Sequence, residues 1–322
     1  MKSRMYGKVL TVFISILLFA GSVLGQSTLV LKNAFIDKYK NRVTVDATYA
    51  VDHAHVAPNP VGKGADDGDL HFSGRSEEVG LPLVAEIINA KLPAQKKAVD
   101  FVHQKEGTDT KIALKGVWRI WFEHPPAGHG TQVQGESVPV PRNTNPDHVF
   151  EFHPVVQVGT NSVLASFVAI PGYHAYDAKT AFDSYESLTA TIQANSTATE
   201  IESKKAGYNY AEFHIVLKGP LLKVEDGILV LANIVDEEGN PVVSEARRMV
   251  FLAGTAGAAA VQKIKEGETM HVMGIPRLNL ERISFAMQTS GGSSVTVPLP
   301  YEMIIIGTRG PRPNWSSLGG AT

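Results

Sequence analysis

The stretch that decides the fold is residues 81–124, LPLVAEIINAKLPAQKKAVDFVHQKEGTDTKIALKGVWRIWFEH. Residues 81–90 are predicted to form a strand. Between residues 94 and 104 the apolar positions recur at helical spacing, and Pro93 stands at the entrance, where a helix tolerates proline. Residues 111–124 then alternate between apolar and charged side chains, which is typical of a strand. The stretch therefore predicts a strand, a short amphipathic helix and a second strand.

Further predicted strands flank this stretch. They lie at residues 29–36, 42–49 and 67–75 on one side, and at residues 148–157, beyond a long loop, on the other. From the strand at 42–49 onward, the order is strand, strand, strand, helix, strand, strand. This order, with the helix between the third and fourth strands, resembles the OB fold.

The second half of the chain repeats an ordered series of residues from the first half. In both copies Asp-Gly is followed 13 residues later by a glycine and 6 residues after that by a glutamate. The two series are Asp67-Gly68 with Gly80-x-Pro82-x-Val84-x-Glu86, and Asp226-Gly227 with Gly239-x-Pro241-x-Val243-x-Glu245. An ordered repeat indicates two copies of one structural unit. We therefore predict a mainly β protein with two tandem OB-like five-stranded barrels, each with one short α-helix between strands 3 and 4.

The repeat divides the chain into segments. The expected segments are a signal peptide at 1–25, a first OB-like domain with the candidate site at 26–170, a second OB-like domain at 171–307 and a flexible tail at 308–322.

Within the second domain, residues 186–218 are predicted to form a long first hairpin. Residues 254–265 are predicted as its helix, with Thr255 as the cap, and residues 301–306 as its last strand. Residues 173–183 show no clear pattern and are not assigned.

The N-terminus has the pattern of a secretory signal peptide. Lys2, Arg4 and Lys8 precede an apolar run at residues 9–24 that ends in small residues. The alternative is a single membrane anchor, but the run is about 16 residues long, whereas a span needs roughly 20. We expect a secreted or periplasmic protein without a membrane span in its mature chain.

Composition excludes several classes of chemistry. The chain has no cysteine, which excludes disulfides, thiolate catalysis, cysteine zinc sites and a lipid-modified N-terminal cysteine. Without the three basic residues of the signal, Lys and Arg total 27 rather than 30 against 32 Asp and Glu, so the net charge is about −5. A mildly acidic chain has no strong nucleic-acid signature.

Two predicted strands carry the candidate site. Alternation places Asp69 and His71 on one face of the first strand, and Glu151 and His153 on one face of the other. If both strands lie in one sheet, these side chains converge on one open surface. Imidazole and carboxylate together suit a divalent metal such as zinc or manganese.

The repeat provides an internal comparison for this site. Asp69 aligns with Ile228, His71 with Val230, and His153 with Ile304. Either the ligand site belongs to the first domain, or the second copy has become apolar because it buries that face against its neighbour. Both interpretations stay open. Glu86 aligns with Glu245, and Arg119 with Arg277, which favours structural roles for these pairs.

Histidines also concentrate in the first domain, where 8 of the 11 lie between His53 and His153. His53, His55 and His124 lie in the two loops that flank the binding face of an OB fold, and they are further candidate metal ligands. The alternative is that they are simply solvated. Arg119 and Trp121 complete the candidate face, because alternation leaves Trp121 as the one aromatic residue of its strand outside the core.

The leading hypothesis is an exported, non-catalytic binding or scaffold protein of unknown ligand. It would bind an oligosaccharide, an oligonucleotide or a protein through the face and loops of the first OB-like domain. The alternative is a metal-dependent, phosphodiesterase-like hydrolase, in which the Asp/His/Glu cluster holds the cation and Arg119 stabilises phosphate charge.

Overall fold

The structure, a computed structural model, describes residues 25–207 and 209–309. Strands and α-helices are numbered separately in chain order. The strands up to residue 177 are β1 (Gln26–Lys32), β2 (Thr44–Ala54), β3 (Leu70–Arg75), β4 (Leu83–Ile87), β5 (Lys111–His124), β6 (Thr131–Val133), β7 (His148–Val158), β8 (Asn161–Ser162) and β9 (Tyr176–Asp177). The later strands are β10 (Thr189–Ala194), β11 (Ala198–Lys204), β12 (Ala211–Leu217), β13 (Leu222–Val224), β14 (Gly227–Val235), β15 (Arg247–Leu252), β16 (Thr269–Leu278), β17 (Val295–Pro298) and β18 (Tyr301–Thr308). The helices are α1 (Asn33–Tyr39), α2 (Lys96–Lys105), α3 (Ala178–Glu186), α4 (Ala256–Val261) and α5 (Leu280–Thr289).

Strands β2, β3, β4, β5 and β7 close into a first barrel. They are hydrogen-bonded in the order β4-β3-β2-β5-β7, and β7 returns to β4 in parallel. Helix α2 lies between the third and fourth of these strands. The barrel therefore has the predicted OB-like element order.

The second barrel has the same connectivity. Strands β14, β15, β18, β16 and β12 follow one another, and β12 closes back onto β14. Its short helix α4 again lies between the third and fourth strands, and Thr255 caps that helix by accepting a hydrogen bond from the Ala258 amide. The prediction of two tandem OB-like barrels is confirmed.

The core of the first barrel follows from alternation along β5 and β7. Trp118, Ile120 and Phe122 of β5, with Phe150 and Phe152 of β7, are each fully buried. Burying one such side chain is worth about 1.5–3 kcal/mol relative to leaving it exposed. Gly116 is needed where the strands come closest, because a Cβ there would lie 2.7 Å from the Phe152 side chain.

A third sheet corrects two predictions. Its order is β17-β10-β11-β1-β6, so it combines the N-terminal strand, the connection between the barrels and one loop strand from each barrel. The predicted strand at 29–36 is wrong beyond Lys32, where α1 begins, and β1 belongs to no barrel. The hairpin predicted at 186–218 forms as the antiparallel pair β10 and β11, but its assignment to the second barrel is wrong, because both strands join this third sheet and the second barrel begins at β12. Pairing between strands that lie far apart along the chain, such as β1 with β11, leaves no signal in the local sequence pattern of either strand.

Two helices besides α1 were not predicted, because each is too short for its apolar residues to show a clear helical period. The unassigned segment 173–183 contains most of α3, whose N-cap Asp177 accepts a hydrogen bond from the Thr180 amide. Helix α5 follows β16 directly, and its N-cap Asn279 accepts from the Arg282 amide.

The two barrels pack through equivalent outer faces. Val43, Ile88 and Val117 of the first barrel region join one buried cluster with apolar side chains of the second barrel. The latter include Leu229, Val250, Leu252, Ile275, Ile304 and Ile306. The second copy is therefore apolar on this face because the face is covered by the first.

Strand pairing also shifts part of the repeat alignment. Ala85 lies opposite Phe152 in the first barrel, and Met249 opposite Met303 in the second, so Glu86 corresponds to Val250. His71 pairs with Glu86 in the same way as Leu229 pairs with Val250. The alignment of Glu86 with Glu245 is therefore wrong, since Glu245 is exposed and precedes the strand. The alignments of His71 with Val230 and of Asp69 with Ile228 are each displaced by one residue, because His71 corresponds to Leu229.

Two predictions concern the ends of the chain. The expected signal peptide at 1–25 lies outside the described residues, apart from Gly25, and so does the expected tail, apart from Thr308 and Arg309. Thr308 is the last residue of β18. In the part of the chain that the structure describes, the helices are too short or too polar to cross a bilayer.

Candidate functional site

The structure brings together the four side chains at the centre of the sequence prediction. His71 on β3 faces Glu86 on the neighbouring β4, and Glu151 and His153 lie two residues apart on β7. His153 Nε2 is 3.5 Å from Asp69 Oδ2, and His153 Nδ1 is 3.3 Å from both Glu86 Oε2 and Glu151 Oε2. Asp69, His71, Glu151 and His153 thus belong to one polar cluster, to which Glu86 is central.

The cluster is not on an open surface, which corrects the expectation from sequence. Asp69 and His153 are fully buried, and Glu151 is 2% exposed. Tyr210, from the connection between the barrels, covers them: its hydroxyl donates to Asp69 and lies 2.8 Å from His153 Nε2. A polar face needs such partners once a second barrel packs beside it.

Arg119 is likewise part of the interior. Its guanidinium is fully buried and donates to Glu151, to Glu123 at 2.8 Å and to the Pro276 carbonyl at 2.9 Å. All of these partners belong to the protein itself. A role for Arg119 on an exposed binding face is therefore ruled out by its position.

Trp121 is buried rather than exposed. It is 1% exposed, and its ring meets the edges of Tyr185 and Tyr301 with centroids 5.5 and 6.5 Å away. The alternation placed Trp121 outside its own barrel correctly, but α3 and β18 cover that outer position.

His153 works as an internal counterion. Burial disfavours its charged form, but the carboxylates of Glu86, Asp69 and Glu151 outweigh burial and raise the pKa of His153 to about 10. For Glu151 burial opposes ionisation too, and Arg119 and the neighbouring histidines nevertheless hold its pKa well below the usual range. Arg119, Glu151 and His153 therefore form a charged, satisfied network.

Two carboxyl groups beside this network lack sufficient positive charge. Burial, reinforced by Glu151 and Asp69, raises the pKa of Glu86 well above its ordinary value despite the opposing effect of His153. Burial and the neighbouring Asp69 raise the pKa of Asp67 to about 7. His71 is affected in the opposite sense, because burial and the charge of His153 lower its pKa to about 3. At neutral pH His71 is thus an uncharged imidazole beside two carboxyl groups whose raised pKa values favour the protonated form.

These side chains line a cavity of about 190 Å³, which we call the His71–Glu86 cavity. The lining residues are Gly64, Ala65, Asp67, His71, Glu86, Glu123, His124, Asn145, Tyr176 and Asn209. Three are acidic, and none is lysine or arginine. Three buried atoms on this lining make no hydrogen bond among the described residues: His71 Nε2, Glu86 Oε2 and Asn209 Oδ1.

The three histidines predicted in loops have different positions, and the prediction is wrong for two of them, since His53 belongs to β2 and His124 is the last residue of β5. His124 lines the cavity and stacks on His148, with ring centroids 5.2 Å apart. His55 stacks on His71 at 5.0 Å with nearly parallel rings, and its Nδ1 contacts Asn59. His53 contacts the Pro141 carbonyl and does not line the cavity.

Sequence reasoning missed Glu86, Tyr210 and Asn209 as members of the site. The alternation of side chains along the predicted strand at 81–90 could have indicated Glu86 as a member of the site. Its alignment with Glu245 instead suggested a structural role. Tyr210 and Asn209 lie between the barrels in sequence, and only the packing of the two barrels brings them to this face.

Comparisons with known proteins leave the function open. No protein-family model and no curated protein matches the chain. Among solved structures, a murine DNA binding protein bound with ds DNA aligns with 82% of this chain and 98% of its own, at 12% identity and a TM-score of 0.18. A superposition with this score carries no argument about fold or function.

Proposed function

We propose that this chain is an exported, non-catalytic binding protein whose ligand is a small cation held in the His71–Glu86 cavity. Export rests on the basic residues and apolar run at the N-terminus, which suit a secreted or periplasmic protein. The two barrels would act as the rigid frame that holds the cavity in shape.

The observation that carries the proposal is the set of buried atoms without hydrogen bonds on one cavity wall. Glu86 Oε2, His71 Nε2 and Asn209 Oδ1 make no hydrogen bond among the described residues and belong to side chains that line the same cavity. Glu86 Oε2 has ion-pair contacts, at 3.2 Å to His71 Nε2 and at 3.3 Å to His153 Nδ1. A buried polar atom without a partner costs about 1–3 kcal/mol. A bound cation would interact favourably with all three, since the carboxylate, the neutral imidazole and the amide oxygen each offer a lone pair.

The charge of the cavity supports a cation rather than an anion. Asp67, Glu86 and Glu123 line it, and the positive charges beside these residues, His153 and Arg119, are each already paired with carboxylates. A phosphate group would meet like charge here and would find no free arginine. This weighs against the phosphodiesterase-like alternative.

The packing of the barrels weighs against an oligonucleotide or oligosaccharide across the first barrel. Such ligands lie on the face of the second and third strands in OB folds. Here Tyr210 and the second barrel cover that face. A long ligand would have to displace them.

The test is thermal unfolding of the purified full chain with zinc chloride, manganese chloride, putrescine or a neutral oligosaccharide. A ligand that binds only the folded state at 100 times its Kd adds about 2.7 kcal/mol of stability, so at least one cation should raise the Tm by several degrees. Glu86→Gln should abolish the shift. Glu77→Gln, at a side chain that is 86% exposed, is the matched control and should retain it.

Two outcomes would contradict the proposal. In the first, none of the cations raises the Tm of the wild-type chain. In the second, the oligosaccharide alone raises it, which would place the ligand on a surface other than this cavity.

A further inference from the structure

We propose that the cation is a divalent transition metal ion, for which zinc fits best, and that His71 Nε2 and Glu86 Oε2 are its protein ligands. This inference rests on the proposed function and names the chemical class of its ligand.

The spacing of the first two atoms supports a shared metal ion. His71 Nε2 lies 3.2 Å from Glu86 Oε2, yet the two atoms make no hydrogen bond. Ligands bound to one tetrahedral zinc ion at about 2.0–2.1 Å are about 3.3 Å apart. The two atoms are therefore spaced like one edge of a coordination sphere.

The scaffold fixes this pair. His71 and Glu86 lie directly opposite each other on antiparallel β3 and β4, so their side chains project from the same face. His55 stacks on the His71 ring with an interplanar angle of 2°. Ligands on paired strands are held more rigidly than ligands on loops.

Asp67 lies on the same cavity wall without being a third ligand. It is 2% exposed, and its Oδ1 accepts hydrogen bonds from the Asn59 side chain and the Asp69 amide, both at 3.1 Å. Among the described residues, its ligand atoms do not form a group with those of His71 and Glu86 within 4.8 Å. We therefore expect Asp67 to add negative charge near the ion, with water completing the coordination.

The donor set selects the type of metal. Magnesium and calcium prefer oxygen ligands alone, whereas imidazole suits zinc and other transition metals. The cavity holds about 190 Å³, and a water takes about 30 Å³ of liquid volume, so there is room for water beside the ion.

A second ligand set, Asp69, Glu86 and His153, has ligand atoms within 4.8 Å of one another. Its histidine has no nitrogen to spare, because Nε2 contacts the Tyr210 hydroxyl and Nδ1 faces Glu151. We therefore assign His153 to positioning Glu86 and not to binding the metal.

The experiment is calorimetric titration of the EDTA-treated full chain with zinc chloride, and separately with magnesium chloride. We expect one zinc per chain and no magnesium binding. Glu86→Gln and His71→Asn should each weaken zinc binding by at least about 100-fold, which exceeds the 10–100-fold typical of outer-shell changes. His129→Asn is the control, because His129 is exposed and asparagine tolerates its positive φ of 61°.

Circular dichroism and the Tm of each variant show whether it has folded. Glu86→Gln preserves the shape of the side chain, so it provides the test if His71→Asn does not fold. Absence of zinc binding to the wild type overturns the inference, and so does zinc binding that both ligand variants retain. If putrescine raises the Tm of the wild type but not that of Glu86→Gln, while zinc does not bind, the metal assignment fails and the proposed function stands. If zinc, manganese and putrescine all fail to bind, both the metal assignment and the proposed function fail.

Discussion

Arg119 and Arg277 each donate a hydrogen bond to the carbonyl of the residue that precedes the other. Arg119 Nε contacts the Pro276 oxygen at 2.9 Å, and Arg277 Nη1 contacts the Trp118 oxygen at 3.0 Å. The two arginines occupy equivalent positions of the repeat. The barrels therefore meet through a reciprocal contact, as the two halves of a symmetric dimer do.

Each arginine is neutralised by an equivalent glutamate. Arg119 pairs with Glu151, and Arg277 with Glu302, and all four side chains are at most 3% exposed. Arg277 also lies 3.5 Å above the Trp118 ring and reaches the Arg42 and Val43 carbonyls. These contacts explain why both copies of the repeat have an arginine at this position: Arg119 and Arg277 each have a structural role.

The first prediction concerns this interface. Arg277→Met leaves Glu302 buried with one remaining cation and removes the bonds to the first barrel, so it should lower the free energy of unfolding by about 3–5 kcal/mol. Arg282→Met is the control: its ion pair with Glu245 joins two exposed side chains and should be worth at most about 1 kcal/mol. Urea unfolding measures both. Equal effects from the two variants would show that the buried contact adds nothing to stability.

The second prediction tests the burial of Trp121. Trp121→Ala should cost about 3–5 kcal/mol, because it leaves a cavity between Tyr185 and Tyr301. Phe285→Ala provides the comparison, since Phe285 is 66% exposed and should cost little. The same urea titration applies. A small loss of stability in Trp121→Ala would contradict the burial of Trp121 and favour the exposed position expected from the sequence.

The third prediction concerns the acid stability of the contact at Asp226. Burial tends to raise its pKa, but the amides of Val43 and Thr44, the Thr44 hydroxyl and Arg42 hold it below the ordinary value. A lowered folded-state pKa adds stability above the unfolded pKa of about 4, which is lost as the pH falls through the folded value. Asp226→Asn should therefore cost about 1–3 kcal/mol at pH 7 and progressively less below pH 4.

Urea unfolding between pH 7 and pH 3 measures this difference. Asp37→Asn, at an exposed side chain, is the control and should cost less than Asp226→Asn at pH 7. A cost at Asp226 that stays constant over the whole pH range would argue against the charged form as its origin.

The fourth prediction concerns the Tyr210 hydroxyl, which covers the buried polar network. Tyr210→Phe removes the hydroxyl that contacts Asp69 and His153, so it should destabilise the fold by about 1–3 kcal/mol. The Phe ring keeps the packing against Tyr173. Unfolding experiments give the loss, and a stability equal to wild type would mean that water satisfies both groups.

The sequence predicted those parts of the fold that local patterns determine. Alternation placed a strand at residues 111–124, the bounds that β5 has, because its buried and exposed side chains differ sharply. Alternation says on which face Trp121 lies but not what packs against that face. The covering residues Tyr185 and Tyr301 come from distant parts of the chain.

The candidate site was predicted in part for the same reason. Asp69, His71, Glu151 and His153 do converge, since strand pairing follows from the barrel. Their burial depends on Tyr210 and the second barrel, which no period within one strand encodes. Glu86 was missed because the sequence repeat aligned it with Glu245, whereas the register of the paired strands matches it to Val250.

The most direct test of the central claim is anomalous X-ray diffraction at the zinc edge from crystals of the full chain grown with equimolar zinc. We expect one strong peak inside the His71–Glu86 cavity, about 2.0–2.2 Å from His71 Nε2 and from a Glu86 carboxylate oxygen. A peak held by His53 or His129 instead, or a cavity without a peak while the protein binds zinc in solution, would contradict it.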